Sequence, residues 1–98
     1  DDNYTTLVKA LHAWGKGLFD AGLYKEAAEV LEFSVSTRSD IRASYELLVD
    51  LYQTKLGLSP TESRQKIASL EQIASQLSTL NKNQILHFLQ EALQGNEA

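Results

Sequence analysis

Apolar residues recur along the first forty residues with the spacing of two amphipathic helices. The steps between them are mostly three or four residues, which places each set on one face of a helix. The first set is Leu7, Leu11, Trp14 and Leu18, and the second is Ala27, Ala28, Leu31 and Val35. We therefore predict two helices whose apolar stripes, Trp14 included, are packed in the core.

A short turn at Gly22 separates the two stripes. Glycine adopts the left-handed conformation that ends a helix without steric cost, so we expect the first helix to end at about Ala21. The second helix is expected from about Tyr24 to Thr37. Two helices joined by so short a turn must be antiparallel. Gly15 lies on the apolar face of the first helix and would let the two backbones approach closely.

Three further helices are predicted in the rest of the chain. The third is expected over residues 41–56. The fourth begins with a strong start signal, Ser59-Pro60-Thr61-Glu62, because the serine can cap, the proline suits the first helical position and the glutamate completes a capping box. Its periodicity continues to Leu80, and a fifth helix follows over residues 82–95. The predicted fold is an all-α, right-handed stack of antiparallel helical hairpins, with no strand.

Composition narrows the classes of function. The 98 residues are 43% hydrophobic and 22% charged, which is typical of a globular chain. The absence of cysteine excludes a disulfide framework and thiolate chemistry. A net charge of −4 opposes attraction to nucleic acid or anionic lipid, and no apolar run approaches the ~18 residues of a membrane span. We therefore expect no nucleic-acid partner and no membrane insertion of this segment.

The chain contains no methionine, so it lacks a start residue. We expect either that an N-terminal piece is processed away or that these residues belong to a longer protein. The compartment stays open: a cytoplasmic location is favoured, and a membrane tether through a segment before residue 1 is the alternative.

The first hairpin resembles a tetratricopeptide repeat (TPR), a helical hairpin of about 34 residues. With the family's turn glycine placed on Gly22, its other characteristic positions fall on Gly15, Tyr24, Ala27, Leu31 and Ser34. A degenerate second repeat is similar to the first at Tyr45, Leu48, Val49 and Tyr52. The resemblance implies a single domain over residues 1–98: repeat one at about 8–41, repeat two at about 42–80, and a capping helix at about 82–95. It also implies that the N-terminal flank of the first hairpin is uncovered.

The resemblance further implies a concave surface, built by the first helix of each hairpin, that holds an extended or helical peptide. The residues that align with this surface are Lys9, His12, Lys16, Phe19, Glu46, Asp50 and Gln53. The function expected first is a non-catalytic interaction or scaffold module with a protein or peptide partner. Two alternatives remain: self-association through the uncovered flank, and a regulatory domain of a larger enzyme or membrane-anchored protein.

No catalytic, cofactor-binding or metal-binding site is predicted. The two histidines, His12 and His87, are far apart in sequence and lack a metal-binding spacing. Glu46 and Asp50 stand one helical turn apart and could hold a cation or act in acid–base chemistry. The repeat alignment instead places them opposite Lys16 and His12, so we expect ion pairs across the repeat. Phe33 is expected on the convex side as an exposed aromatic residue.

Overall fold

A computed structural model describes residues 2–95, which fold into five α-helices and contain no strand. The helices are α1 (Asp2–Asp20), α2 (Tyr24–Ser36), α3 (Arg42–Asp50), α4 (Pro60–Ala74) and α5 (Lys82–Gly95). A π-helical turn, Leu51–Lys55, continues α3. The predicted all-α class and the five helices are confirmed, and the packing is that of a helical hairpin stack.

The α1–α2 hairpin forms as its turn predicts. Gly22 has a φ of +79°, the left-handed conformation that glycine adopts without strain. The backbone N–H of Leu23 donates to the carbonyl oxygen of Leu18 at 2.9 Å, which ends α1. Gly15 lies directly against Leu31, so close that a Cβ atom at position 15 would stand 2.5 Å from Leu31 Cδ2. The absence of a side chain at Gly15 is what allows this approach.

The second half of the chain packs on the first through α3, which contacts α1, α2 and α5. At the end of α3, the N–H of Leu56 donates to the carbonyl of Leu51 at 3.0 Å, the wider spacing of a π-helix. The predicted capping box of α4 is present. The Glu62 N–H donates to Ser59 Oγ at 3.1 Å, and the Ser59 N–H donates to Glu62 Oε1 at 2.9 Å.

The core is continuous from the first hairpin to α5. Its largest fully buried side chains are Tyr45, Leu31, Leu48, Leu51, Ile67, Ile85 and Leu89. The Tyr45 hydroxyl is satisfied because it donates to the carbonyl of Ser39 at 3.0 Å. The predicted apolar stripe of α2 therefore lies in the core, and so do the residues of the second repeat that align with the first: Tyr45, Leu48, Val49 and Tyr52.

The prediction that Trp14 is a core residue is wrong. Its side chain is 60% exposed, and Leu7 on the same stripe is 47% exposed. Leu11 of the predicted stripe is buried, and Val8 and Gly15 complete the buried face of α1. Successive helical residues are about 100° apart, so the contact of Gly15 with α2 turns Trp14 out of the core.

The predicted extension of α4 to Leu80 is also wrong. The helix ends at Ala74, where the N–H of Leu77 donates to the Ala74 carbonyl at 3.0 Å in a tight turn. Leu77 is still buried, but Leu80 is 99% exposed. The helical spacing of apolar residues continues beyond Ala74 because Leu77 fits the same period. Leu77 is buried, although it lies in a turn and not in α4.

Candidate functional site

A groove runs between α1 and α3 and encloses a cavity of about 230 Å³. Its lining residues are His12, Lys16 and Phe19 from α1, and Ala43, Glu46, Leu47 and Asp50 from α3. The two helices are the first helices of the two predicted hairpins. The structure therefore brings together five of the seven residues predicted for the concave surface.

The other two predicted residues, Lys9 and Gln53, do not line this cavity. Lys9 is exposed on α1, about one turn closer to the N terminus than His12. Gln53 belongs to the π-helical turn and lines a separate pocket with Leu58 and Pro60. In an α-helix it would share a face with Asp50, but the wider π turn rotates it away.

Charged side chains on both sides of the groove form ion pairs within their own helix. Lys16 Nζ lies 2.7 Å from Asp20 Oδ2, four residues later on α1. On α3, Arg42 Nε donates to Glu46 Oε2 at 3.1 Å, again across four residues. Both pairs are solvent-exposed, so each contributes little to stability.

Asp50 is also held by its own segment. Its Oδ1 accepts a hydrogen bond from Thr54 Oγ1 at 2.7 Å, and its Oδ2 lies 3.8 Å from Lys55 Nζ. The expected ion pairs from Glu46 and Asp50 across the repeat are therefore wrong. Side chains four residues apart on one helix meet without crossing the groove, and this leaves the groove open.

His12 is positioned at the groove by the opposite helix. Its Nδ1 lies 2.8 Å from Ser44 Oγ of α3, within hydrogen-bond distance. Burial lowers the pKa of His12 below its usual 6.5, and the nearby charge of Lys16 lowers it further. The groove therefore presents a neutral imidazole near neutral pH.

Phe19 forms one wall of the groove and is only half-buried. Its ring meets that of Tyr24 edge-on, with centroids 5.5 Å apart. Lys55 Nζ lies 5.9 Å from each of the two ring centroids, a cation–π arrangement. The Phe19 ring is thus held in place by its neighbours.

The N-terminal flank of the first hairpin was predicted to be uncovered, but Trp14 was assigned to the core and not to this flank. Trp14 and Leu7 lie on the side of α1 away from α3, and Leu23 at the start of α2 is 47% exposed. The positions of the charged residues on α1 could have indicated this exposed side. Lys9, Lys16 and Asp20 all fall on the other side of that helix. A charge-free helix face is compatible with contact to another protein as well as with a core.

Comparison of the chain with protein-family models, with curated proteins and with solved structures finds no match. The fold of residues 2–95 is compatible with a helical repeat. Within that range, no group of three or more histidine or carboxylate side chains could hold a metal ion. None of its helices has the length and apolar character needed to cross a membrane.

Proposed function

We propose that this chain is a TPR-like, non-catalytic interaction module that binds a segment of a protein or peptide in the groove between α1 and α3. The observation that carries the proposal is the groove itself. Residues from two helices that are distant in sequence form one open cavity, which is lined by both apolar and charged side chains. The first helices of adjacent hairpins are where a TPR-like surface would hold its partner.

The chemistry of the groove favours a peptide with an apolar side chain between charges of both signs. Phe19, Ala43 and Leu47 supply apolar surface, while Lys16 and Glu46 stand on opposite rims. The cavity is smaller than the ~300–1,000 Å³ of a typical small-molecule pocket. It is therefore suited to one anchoring side chain of a longer segment.

The same charges disfavour nucleic acid as the ligand. Glu46 and Asp50 place carboxylates on the α3 rim, where a phosphate backbone would require cations. The net charge of −4 adds repulsion at long range.

Blocking the groove with a long side chain tests the proposal. Ala43 lines the cavity, so Ala43→Arg should fill it. Ala68 is exposed on α4, which makes Ala68→Arg a matched control for the substitution itself. A peptide selected on the parent protein from a displayed random library should bind the Ala43→Arg variant at least about tenfold more weakly, a loss of ~1.4 kcal/mol.

Binding to the Ala68→Arg variant should equal binding to the parent, with all three proteins equally helical by circular dichroism. Equal affinity for the two arginine variants would show that the peptide binds elsewhere. Failure to select any peptide on the parent protein would also count against a peptide-binding groove.

A further inference from the structure

A second cavity, of about 210 Å³, lies between α2, α4 and the π-helical turn. We call it the α2–α4 cavity, and none of its lining residues lines the peptide groove. Its volume is below the ~300–1,000 Å³ of pockets for drug-sized ligands, so its occupant must be small. The lining residues are Glu32 and Val35 of α2, Tyr52 of the π-helical turn, and Lys66, Ser69, Leu70 and Ile73 of α4.

Three aliphatic side chains line the α2–α4 cavity: Val35, Leu70 and Ile73. Val35 and Leu70 are only 1% and 2% exposed, so they belong to the core and also border the cavity. Ile73 is half-buried. An aliphatic group that enters the cavity would therefore leave water for an apolar surface, which favours binding.

Glu32 and Lys66 bring opposite charges to the same cavity. The Tyr52 hydroxyl donates to Glu32 Oε2 at 2.5 Å and so fixes the orientation of the carboxylate. Lys66 Nζ lies 3.8 Å from that oxygen, beyond the ~2.7–3.2 Å of a hydrogen bond, and 5.9 Å from the centre of the Tyr52 ring. Within residues 2–95, Lys66 Nζ and Glu32 Oε1 have no hydrogen-bond partner, so both are available to a ligand.

The distance between these two charges suits the head group of an α-amino acid. Standard bond lengths place the ammonium nitrogen and the carboxylate oxygens of an amino acid about 2.7–3.6 Å apart. The ammonium group can therefore donate to Glu32 while the carboxylate accepts from Lys66, which gives four groups of alternating charge. Each charge of the ligand then has a partner of opposite sign, as a charged group requires when it leaves water.

We propose that the α2–α4 cavity binds a free amino acid with an aliphatic side chain. The ammonium group of the ligand binds Glu32, its carboxylate binds Lys66, and its side chain packs on Val35, Leu70 and Ile73. Tyr52 is a positioning residue, because its hydroxyl holds the Glu32 carboxylate. The site is separate from the peptide groove and does not depend on it.

A series of small ligands tests the two charged contacts on the full chain. L-leucine is the probe, leucinamide lacks the carboxylate, isocaproate lacks the ammonium group, and glycine lacks the side chain. In NMR titrations of isotope-labelled protein, L-leucine should move the amide signals of residues 32–35 and 66–73. Its dissociation constant should be about 1 mM or lower, and each other ligand should bind at least about threefold more weakly.

Unchanged amide signals with millimolar L-leucine would overturn the proposal. Equal binding of leucinamide and L-leucine would also overturn it, because a ligand that needs no carboxylate is the N-terminal residue of a peptide rather than a free amino acid.

Two variants that each remove one charge test the assigned residues. Glu32→Gln keeps an acceptor for the Tyr52 hydroxyl, and both Glu32→Gln and Lys66→Gln should bind L-leucine at least about threefold more weakly than the parent. Glu29→Gln and Lys25→Gln are matched controls, because both residues are exposed on α2 and line no part of the cavity. The controls should bind like the parent. Parent-like binding by the Glu32 or the Lys66 variant would overturn the proposal.

Discussion

The contact between Gly15 and Leu31 determines which side of α1 faces the groove and which side carries Trp14. Substitution of Gly15 by alanine tests this contact. The new methyl group would stand 2.5 Å from Leu31 Cδ2 and 2.6 Å from Cγ, well inside van der Waals contact. Leu31 is fully buried, so its side chain can shift only against the residues packed around it. Overpacking of this kind costs about 1–3 kcal/mol.

Alanine also favours the helix over glycine by about 1 kcal/mol, and this gain must be separated from the clash. Gly17 provides the control, because it lies in the same helix and a methyl group added there would have no neighbouring atom within 4 Å. Gly17→Ala should therefore raise the free energy of unfolding by about 0.5–1 kcal/mol. Gly15→Ala should be about 1–3 kcal/mol less stable than Gly17→Ala.

Urea denaturation followed by circular dichroism measures both variants, at one low protein concentration so that self-association does not contribute. For a domain of this size, 1 kcal/mol corresponds to roughly 4–8 °C in melting temperature. If Gly15→Ala is as stable as Gly17→Ala, the two helices do not approach closely at Gly15. The position of the groove would then be wrong.

Three further predictions concern single side chains. Ser59→Ala removes the cap of α4 and should cost about 0.5–2 kcal/mol in urea denaturation; an unchanged midpoint would contradict the capping box. Tyr52→Phe keeps the ring but removes the bond to Glu32, whose side chain is 38% exposed, so the loss should be near 1.5 kcal/mol; no loss would refute that bond. An NMR titration should place the pKa of His12 below 6.5. The contribution of His12 to the free energy of unfolding should be complete above pH 6.5. It should decline as the pH falls towards the lower pKa of the folded state, because the unfolded chain binds the proton more readily. A titration midpoint above 6.5 would contradict its burial.

The parts of the fold that local chemistry determines could be predicted from the sequence. The left-handed turn at Gly22 and the capping box at Ser59 each depend on a few adjacent residues, and both are present. The groove residues were predicted from the repeat alignment, which gave residues of α1 and α3 equivalent positions. Five of the predicted residues line the cavity.

The rotation of α1 about its own axis could not be predicted. Its apolar residues cover a wider part of the helix surface than the part that packs in the core. Trp14 satisfies a helical period with Leu11 and Leu18 whether the core lies on one side of that apolar surface or the other. The close contact of Gly15 with Leu31 decides between them, and it depends on tertiary packing.

The π-helical turn was hidden from the sequence for a similar reason. Residues 51–55 carry a pattern that an α-helix also satisfies, so Gln53 was assigned to the groove. The wider turn is visible only in the hydrogen bond from the Leu56 N–H to the Leu51 carbonyl. The ion pairs were misassigned because several acceptors were within reach of each cation, and neighbours four residues away on the same helix required no crossing of the groove.

The central claim is that the groove between α1 and α3 holds a segment of a peptide. The most direct measurement is an NMR titration of isotope-labelled protein with the library-selected peptide. The account predicts that the amide signals of residues 12–19 and 43–50 move, while the indole N–H of Trp14, the single tryptophan, stays in place. Movement of the Trp14 indole with unchanged signals over residues 43–50 would contradict it.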